Sequence, residues 1–235
     1  YVTLEMAEER IAERIDANLL DVSTDDLHAL PKTMFDDRVE RLKSKSPGKL
    51  IIKEYPTASA HSGHFKALLN ELALKKSFKP DVLFIDYLNI CASSRFKGGN
   101  ISSYFYIKAI AEELRGLAVE FKLPIFTATQ TTRSGFVSTD IGLEDTSESF
   151  GLPATADFMF ALMTSEELDS LNQMKVKQLK NRYSDPAINR SFIIGVDRSK
   201  MRLYDVEQKA QNIVDANQEK EIETDPYDKF SDFKV

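Results

Sequence analysis

Residues 80–86 read Pro-Asp-Val-Leu-Phe-Ile-Asp, and residues 124–129 read Pro-Ile-Phe-Thr-Ala-Thr. The first contains Val82-Leu83-Phe84-Ile85, a continuous apolar run of strand length, suited to a strand buried on both faces. Between the two, residues 107–121 repeat apolar side chains at helical spacing through Ile110, Leu114, Leu117, Ala118 and Phe121. Strand, amphipathic helix and strand in that order form the repeating unit of a parallel α/β sheet.

Working outward, Val2-Thr3-Leu4 is short and β-prone, and 50–55 is a further apolar strand. Residues 7–20 carry Ile11, Ile15 and Leu19 at helical spacing. Ser23 and Asp25 are caps for a short helical turn near residue 28. Residues 32–45 form a charged surface helix, broken by Ser46-Pro47-Gly48. Residues 64–76 are amphipathic, with Phe65, Leu68, Leu69 and Leu72 on one side. Beyond residue 157 the connections shorten. Strands at 158–163, 175–179, 191–196 and 202–206 predict an antiparallel extension of the sheet. Residues 1–207 are expected to form this domain. Residues 208–235 lose periodicity and read as an acidic tail, at most partly ordered.

A chain of 235 residues that is 42% hydrophobic, with 15 Phe and no Trp, can bury a large core. Its formal net charge of −6 argues against coating DNA by charge alone, although local basic loops still bind nucleic acid in an acidic chain. The single cysteine, Cys91, excludes an internal disulfide and fits a reducing cytoplasm. No apolar run is long enough to cross a bilayer, and no signal peptide pattern leads the chain. Residue 1 is Tyr and stands inside a strand, so the chain reads as the interior of a longer protein.

In open parallel sheets, ligands collect at the carboxyl ends of the strands, where Glu5, Asp86 and Gln130 fall. Each alone has an ordinary reading: a helix-start carboxylate, a strand-ending carboxylate, a loop amide. Together and in order they point to nucleotide chemistry, with Asp86 holding Mg²⁺, Glu5 orienting or deprotonating water, and Gln130 sensing the γ-phosphate. Lys180 and Arg182 alternate along a strand and share a face. That face is either solvated, with Asp185 nearby, or reaches the phosphates of a neighbouring subunit. The loops 91–101 (Arg95, Phe96, Lys97, Gly98, Gly99, Asn100) and 131–149 (Arg133, Gly135, Phe136) combine cations, glycines and a stacking ring suited to DNA. Ordinary surface loops account for them equally well. His61 and His64 lack further ligands at metal spacing and read as helix-start histidines. The sequons at Asn100 and Asn189 carry no weight in a cytoplasmic chain.

These residues resemble the motor domain of the DnaB-type replicative helicases, which are hexameric RecA-fold proteins. Tyr-Val-Thr-Leu-Glu-Met at 1–6 resembles the family's Ser-Leu-Glu-Met, implying a catalytic role for Glu5. Phe-Ile-Asp-Tyr-Leu at 84–88 resembles its Walker B run, implying a metal carboxylate at Asp86. Thr-Gln-Thr-Thr-Arg at 129–133 resembles Ser-Gln-Leu-Ser-Arg, with the phosphate sensor at Gln130. Lys-Asn-Arg at 180–182 resembles Lys-Gln-Arg, whose cations act on the adjacent subunit's nucleotide. Ser147, Glu148 and Ser149, followed by Ala156-Asp157, stand where the family grips single-stranded DNA, with Ser147 in place of an arginine and Phe150 in place of a glycine. The phrase at 151–159 and Arg-Ile-Asp-Ala-Asn at 14–18 look closer to helicases of T-even-type phages.

The resemblance implies ATP and Mg²⁺ as cofactors and single-stranded DNA and other copies of the chain as partners. It extends to primase, helicase loader and replicative polymerase, in the host cytoplasm and away from membranes. The family's phosphate loop, Gly-x-x-x-x-Gly-Lys-Ser/Thr, does not occur in these residues. It would precede Tyr1, on a strand inside the RecA sheet, so its loss is expected to expose apolar surface and strand edges. The expectation follows that this chain alone binds ATP poorly and associates. A RecA-type recombinase or circadian-type ATPase, and a non-catalytic DNA- or helicase-binding module, are the alternative readings.

Overall fold

The computed structural model describes residues 1–96, 101–132, 141–146, 151–185, 188 and 190–206. The sequence-based expectations at Lys97, Gly98, Gly99, Asn100, Arg133, Gly135, Phe136, Ser147, Glu148, Ser149, Phe150 and 208–235 lie outside the described residues.

The chain runs β1 (Val2–Thr3), α1 (Glu8–Leu20), α2 (Thr24–Ala29), α3 (Lys32–Lys45), β2 (Lys53–Glu54), α4 (Ser62–Lys76), β3 (Leu83–Asp86), α5 (Ser103–Phe121) and β4 (Ile125–Thr127). It continues through α6 (Gly151–Thr155), β5 (Phe158–Met163), α7 (Glu166–Ser170), β6 (Gln173–Asn181), β7 (Ser191–Asp197) and β8 (Arg202–Asp205). The first four strands form an all-parallel sheet in the order β2-β1-β3-β4, and the last four an antiparallel sheet in the order β5-β6-β7-β8. This is the predicted α/β class with its antiparallel extension.

One face of the parallel sheet makes the core. Val2, Leu83 and Ile85 pack on Phe65 and Leu69 of α4 and on Ile107, Ile110, Leu114 and Leu117 of α5. These helix positions follow the predicted apolar stripes. Ser23 caps α2 by accepting the Asp26 N–H at 3.0 Å, and α3 ends at Lys45, before Ser46-Pro47-Gly48. His61 and His64 cap α4: the Gly63 N–H donates to His61 Nδ1 and the His61 N–H to His64 Nδ1. Among the described residues no group of three or more His, Cys, Asp or Glu could hold a metal ion.

Four expectations are corrected. The 82–85 run is covered on one face only. Leu83 and Ile85 are buried, whereas Phe84 is 41% exposed, because both helices that pack on this core lie on the other side. The strand expected over 50–55 pairs only at Lys53–Glu54. Helix α5 begins at Ser103, four residues before the first apolar repeat; Tyr106 Oη, in its first turn, accepts the Ser93 N–H and ties the turn to the preceding loop. In α1, Leu20 is buried and Leu19 exposed, because left-handed Asp21 (φ 56°) turns the chain so that Leu20 and Val22 both face inward.

On the uncovered face, register places Tyr1, Phe84 and Phe126 in a row across β1, β3 and β4. Their rings stack with centroids 6.2 Å and 5.2 Å apart, and Phe126 is 49% exposed. Among the described strands, β4 and β5 are each paired on one side only. Strand β5 also exposes Phe158, Phe160 and Leu162. Open edges beside exposed aromatic rings favour association. Phe126→Ser combined with Phe160→Ser should therefore reduce self-association and dye binding by the isolated chain and leave it folded. Phe65→Ala, which empties a fully buried site, should cost about 3–5 kcal/mol. Urea unfolding and light scattering check both; unchanged association in the double variant would count against the exposed face as its source.

Candidate functional site

Parallel pairing brings three polar side chains to one end of the sheet. Thr3 stands opposite Asp86, and Ile85 opposite Thr127. Glu5 therefore lies two residues past the end of β1, Asp86 at the end of β3, and Gln130 three residues past the end of β4. The three come from adjacent strands.

Local hydrogen bonds hold each of these positions. Thr3, wholly buried, donates its hydroxyl to Met6 O at 2.8 Å and accepts the Met6 N–H at 3.1 Å. This closes the turn that presents Glu5 to solvent. Thr57 Oγ1 donates to Leu4 O at 2.6 Å and fastens the same turn. Asp86 Oδ2 accepts the Tyr1 hydroxyl at 2.7 Å. Burial, and then this bond to the carboxylate, raise the Tyr1 phenol above its usual range, so it stays a donor. Gln130 Nε2 donates to Tyr87 Oη at 3.1 Å, and Thr129 Oγ1 donates to Asn89 Oδ1 at 2.8 Å; both link the end of β4 to the chain after β3.

A carboxylate at a strand end fits a divalent cation, and Glu5, Asp86 and Gln130 together fit water and phosphate oxygens. The sequence holds no Gly-rich phosphate cradle beside them.

Lys180 and Arg182 belong to a second cluster, on the other sheet. Lys180, near the end of β6, donates to Pro153 O and, at 3.3 Å, to Ala154 O. Arg182 Nη2 donates to Ala154 O at 2.7 Å and Nη1 to Asp157 Oδ1 at 2.8 Å. The pair does share one side of the strand end, and the carboxylate that pairs with Arg182 is Asp157. Burial raises the Asp157 carboxyl, but Arg115 and Arg182 outweigh it and hold the group below its ordinary range. Burial, then the charge on Arg182, lower the Lys180 ammonium.

Arg95 is the candidate DNA contact that the described residues include. Its guanidinium lies 2.5 Å from Glu112, beside an open groove of about 570 Å³ lined by Phe96, Phe105 and Lys108. The loop stem is held by Glu113, whose carboxylate accepts from the hydroxyls of Ser62, Ser93 and Ser94 and from the Ser94 N–H. Cys91 is buried and its thiol pushed up to about 12, which removes it as a nucleophile. Sequence reasoning missed Glu113 and Arg115. Both flank the buried α5 position Leu114, where a charged residue needs a partner.

Residues 1–199 match the family model described as DnaB-like helicase C terminal domain. The chain is 44% identical over 211 residues to a DnaB-like replicative helicase of Enterobacteria phage T4, covering 88% of this chain and 44% of that one. It is 30% identical over 135 residues to a probable plasmid replicative DNA helicase of Chlamydia trachomatis serovar L2, covering 57% and 28%. It thus spans less than half the length of these curated relatives. Two solved structures superpose with TM-scores of 0.69 at 17% identity, each over 88% of this chain. One is a DnaB-like replicative helicase described with its interactions with primase (50% of that chain), the other an ATPase domain (74%). The fold is that of the RecA-like ATPase domains. Among the described residues, no helix is long and apolar enough to cross a membrane.

Burial raises Glu113, but its hydroxyl and amide donors outweigh that and hold its carboxyl below the ordinary 4.5. A folded-state value below the unfolded one gives stability that is present above 4.5 and is lost as pH falls through the folded value. The melting-temperature difference between the natural chain and Glu113→Gln should therefore be constant at neutral pH and close below pH 4.5. Melting curves from about pH 7 to about pH 3 check this; a gap that widens in acid would contradict it.

Proposed function

The chain belongs to the DnaB-like helicase C-terminal domain family, and on that premise we propose that it is the motor part of an ATP-dependent replicative DNA helicase. The protein translocates on single-stranded DNA and opens duplex at the replication fork. The observation that carries this reading is the delivery of Glu5, Asp86 and Gln130 by the ends of three adjacent parallel strands. Family membership lends no support to the recombinase or non-catalytic alternatives.

In this mechanism Asp86 would hold the Mg²⁺ of a bound nucleotide, directly or through water, and the Tyr1 hydroxyl orients that carboxylate. When bound, Mg²⁺ would offset negative charge on the nucleotide phosphates. Glu5, exposed on its pinned turn, orients the attacking water and accepts its proton. Gln130, held by Tyr87, hydrogen-bonds the γ-phosphate and senses its loss. Lys180 and Arg182 reach the nucleotide of the next copy in a ring of six. A phosphate loop, on a strand pairing between β4 and β5 with its helix covering Tyr1, Phe84 and Phe126, would complete the site. The two open edges and the bare aromatic row support that placement, and without it the chain alone is inactive.

Residues 1–207 form the motor unit and 208–235 an acidic tail. Arg95, Lys97, Arg133, Ser147, Glu148 and Ser149 line the path of the strand. Primase, a loader and the replicative polymerase dock on the assembled ring in the host cytoplasm.

Arg182→Ala in the full-length ring should lower DNA-stimulated ATP turnover by roughly a thousandfold or more and spare nucleotide binding, as for other cations supplied in trans. Phosphate release and fluorescent-nucleotide titration check this. Unchanged turnover would remove Arg182 from the reaction.

A further inference from the structure

Two guanidiniums, one beside each sheet, meet one carboxylate, and Lys180 stands next to them. Asp157 Oδ1 accepts from Arg182 Nη1 at 2.8 Å and from Arg115 Nη1 at 2.7 Å. Arg115 belongs to α5, which packs on the parallel sheet; Arg182 follows β6 of the antiparallel sheet. The Arg182 N–H also donates to Asp157 O at 3.0 Å, so Asp157 holds that residue by both backbone and side chain.

The same cations close the end of α6. A five-residue helix leaves its last carbonyls without helical partners. Here Pro153 O and Ala154 O accept from Lys180, Ala154 O also from Arg182, and Thr155 O from Arg115 at 2.7 Å. Gly151, Leu152 and Pro153 are buried, with Leu152 in the main core. Helix α6 is thus fastened to α5 beneath and to β6 beside it. In sequence it follows closely on Ser147, Glu148 and Ser149.

We infer that Asp157 is a positioning residue that fixes the direction of Arg182 and couples it to α6, and so to the chain segment that meets DNA. The inference rests on the proposed roles of Arg182 at the neighbouring nucleotide and of residues 147–149 at the strand. Asp157 neutralises one of three cations, and the surplus positive charge left at the cluster suits phosphate. A shift of α6 carries Asp157 with it and re-aims the guanidinium. Without the carboxylate, Arg115 and Arg182 repel each other, and the Arg182 guanidinium keeps only its bond to Ala154 O, which fixes its direction less firmly.

The test uses full-length rings carrying Asp157→Asn or Arg115→Met, with Arg182→Ala alongside. ATP turnover is read with and without single-stranded DNA, together with nucleotide affinity, ring assembly and melting temperature. Arg115 reaches Arg182 through Asp157. Both variants should therefore cut the ratio of stimulated to unstimulated turnover on the order of tenfold or more, as misplaced catalytic groups do, with nucleotide affinity retained. Asp157→Glu, which keeps the charge, should restore most of the ratio. A purely structural role would instead lower the melting temperature and depress both rates alike. If Asp157→Asn rings fail to assemble, Arg115→Met decides alone. A natural ratio in the assembled variants, with Arg182→Ala inactive, overturns the coupling. Full turnover in Arg182→Ala overturns the reading beneath it.

Discussion

Parallel pairing of β1, β3 and β4 is the constraint on which the rest depends. Thr3 pairs with Asp86 and Ile85 with Thr127, so three chain segments leave the sheet at nearly one level. A one-residue slip in any pair would turn its side chains to the opposite face. The buried faces of Val2, Leu83 and Ile85 against α4 and α5 fix that register. Core packing thereby sets the spacing of the polar residues that follow, and short bonds from Thr3, Thr57, Tyr1 and Tyr87 refine it.

The same register carries an apolar row on the other face. Tyr1, Phe84 and Phe126 stack in line, and β5 exposes Phe158, Phe160 and Leu162 at its open edge. Among the described residues Phe84 and Phe126 stay exposed on that face, whereas parallel strands are ordinarily covered on both. The two half-sheets are tied instead at their margins. Arg115 and Arg182 share Asp157 at one place, and Lys200 and Arg202 share Asp21 at another. These partly exposed ion pairs orient the halves more than they stabilise them.

Much of this was legible in the sequence because periodicity reports burial. The strands at 82–85 and 158–163 and the helix at 107–121 exist as elements where apolar spacing put them, although β3 is covered on one face and α5 starts four residues earlier. The exposure of Leu19 and Phe84 was not legible. Leu19 depends on the left-handed turn at Asp21, and Phe84 on which layers surround the sheet. Neither is a local property. The strand-end positions of Glu5, Asp86 and Gln130 were legible because each follows a short β-prone run. The Asp157 cluster was not, because Arg115 and Arg182 lie 42 and 25 residues from it in sequence.

Titration of Mg-ATP into the chain, alone and with a strand–Gly-x-x-x-x-Gly-Lys-Ser/Thr–helix segment joined ahead of Tyr1, tests the proposed nucleotide site most directly. Binding should be absent in the first case and present in the second, and Asp86→Asn should weaken it sharply. Tight Mg-ATP binding by the unextended chain, or binding indifferent to Asp86, would show that the strand ends described here are not where the nucleotide is held.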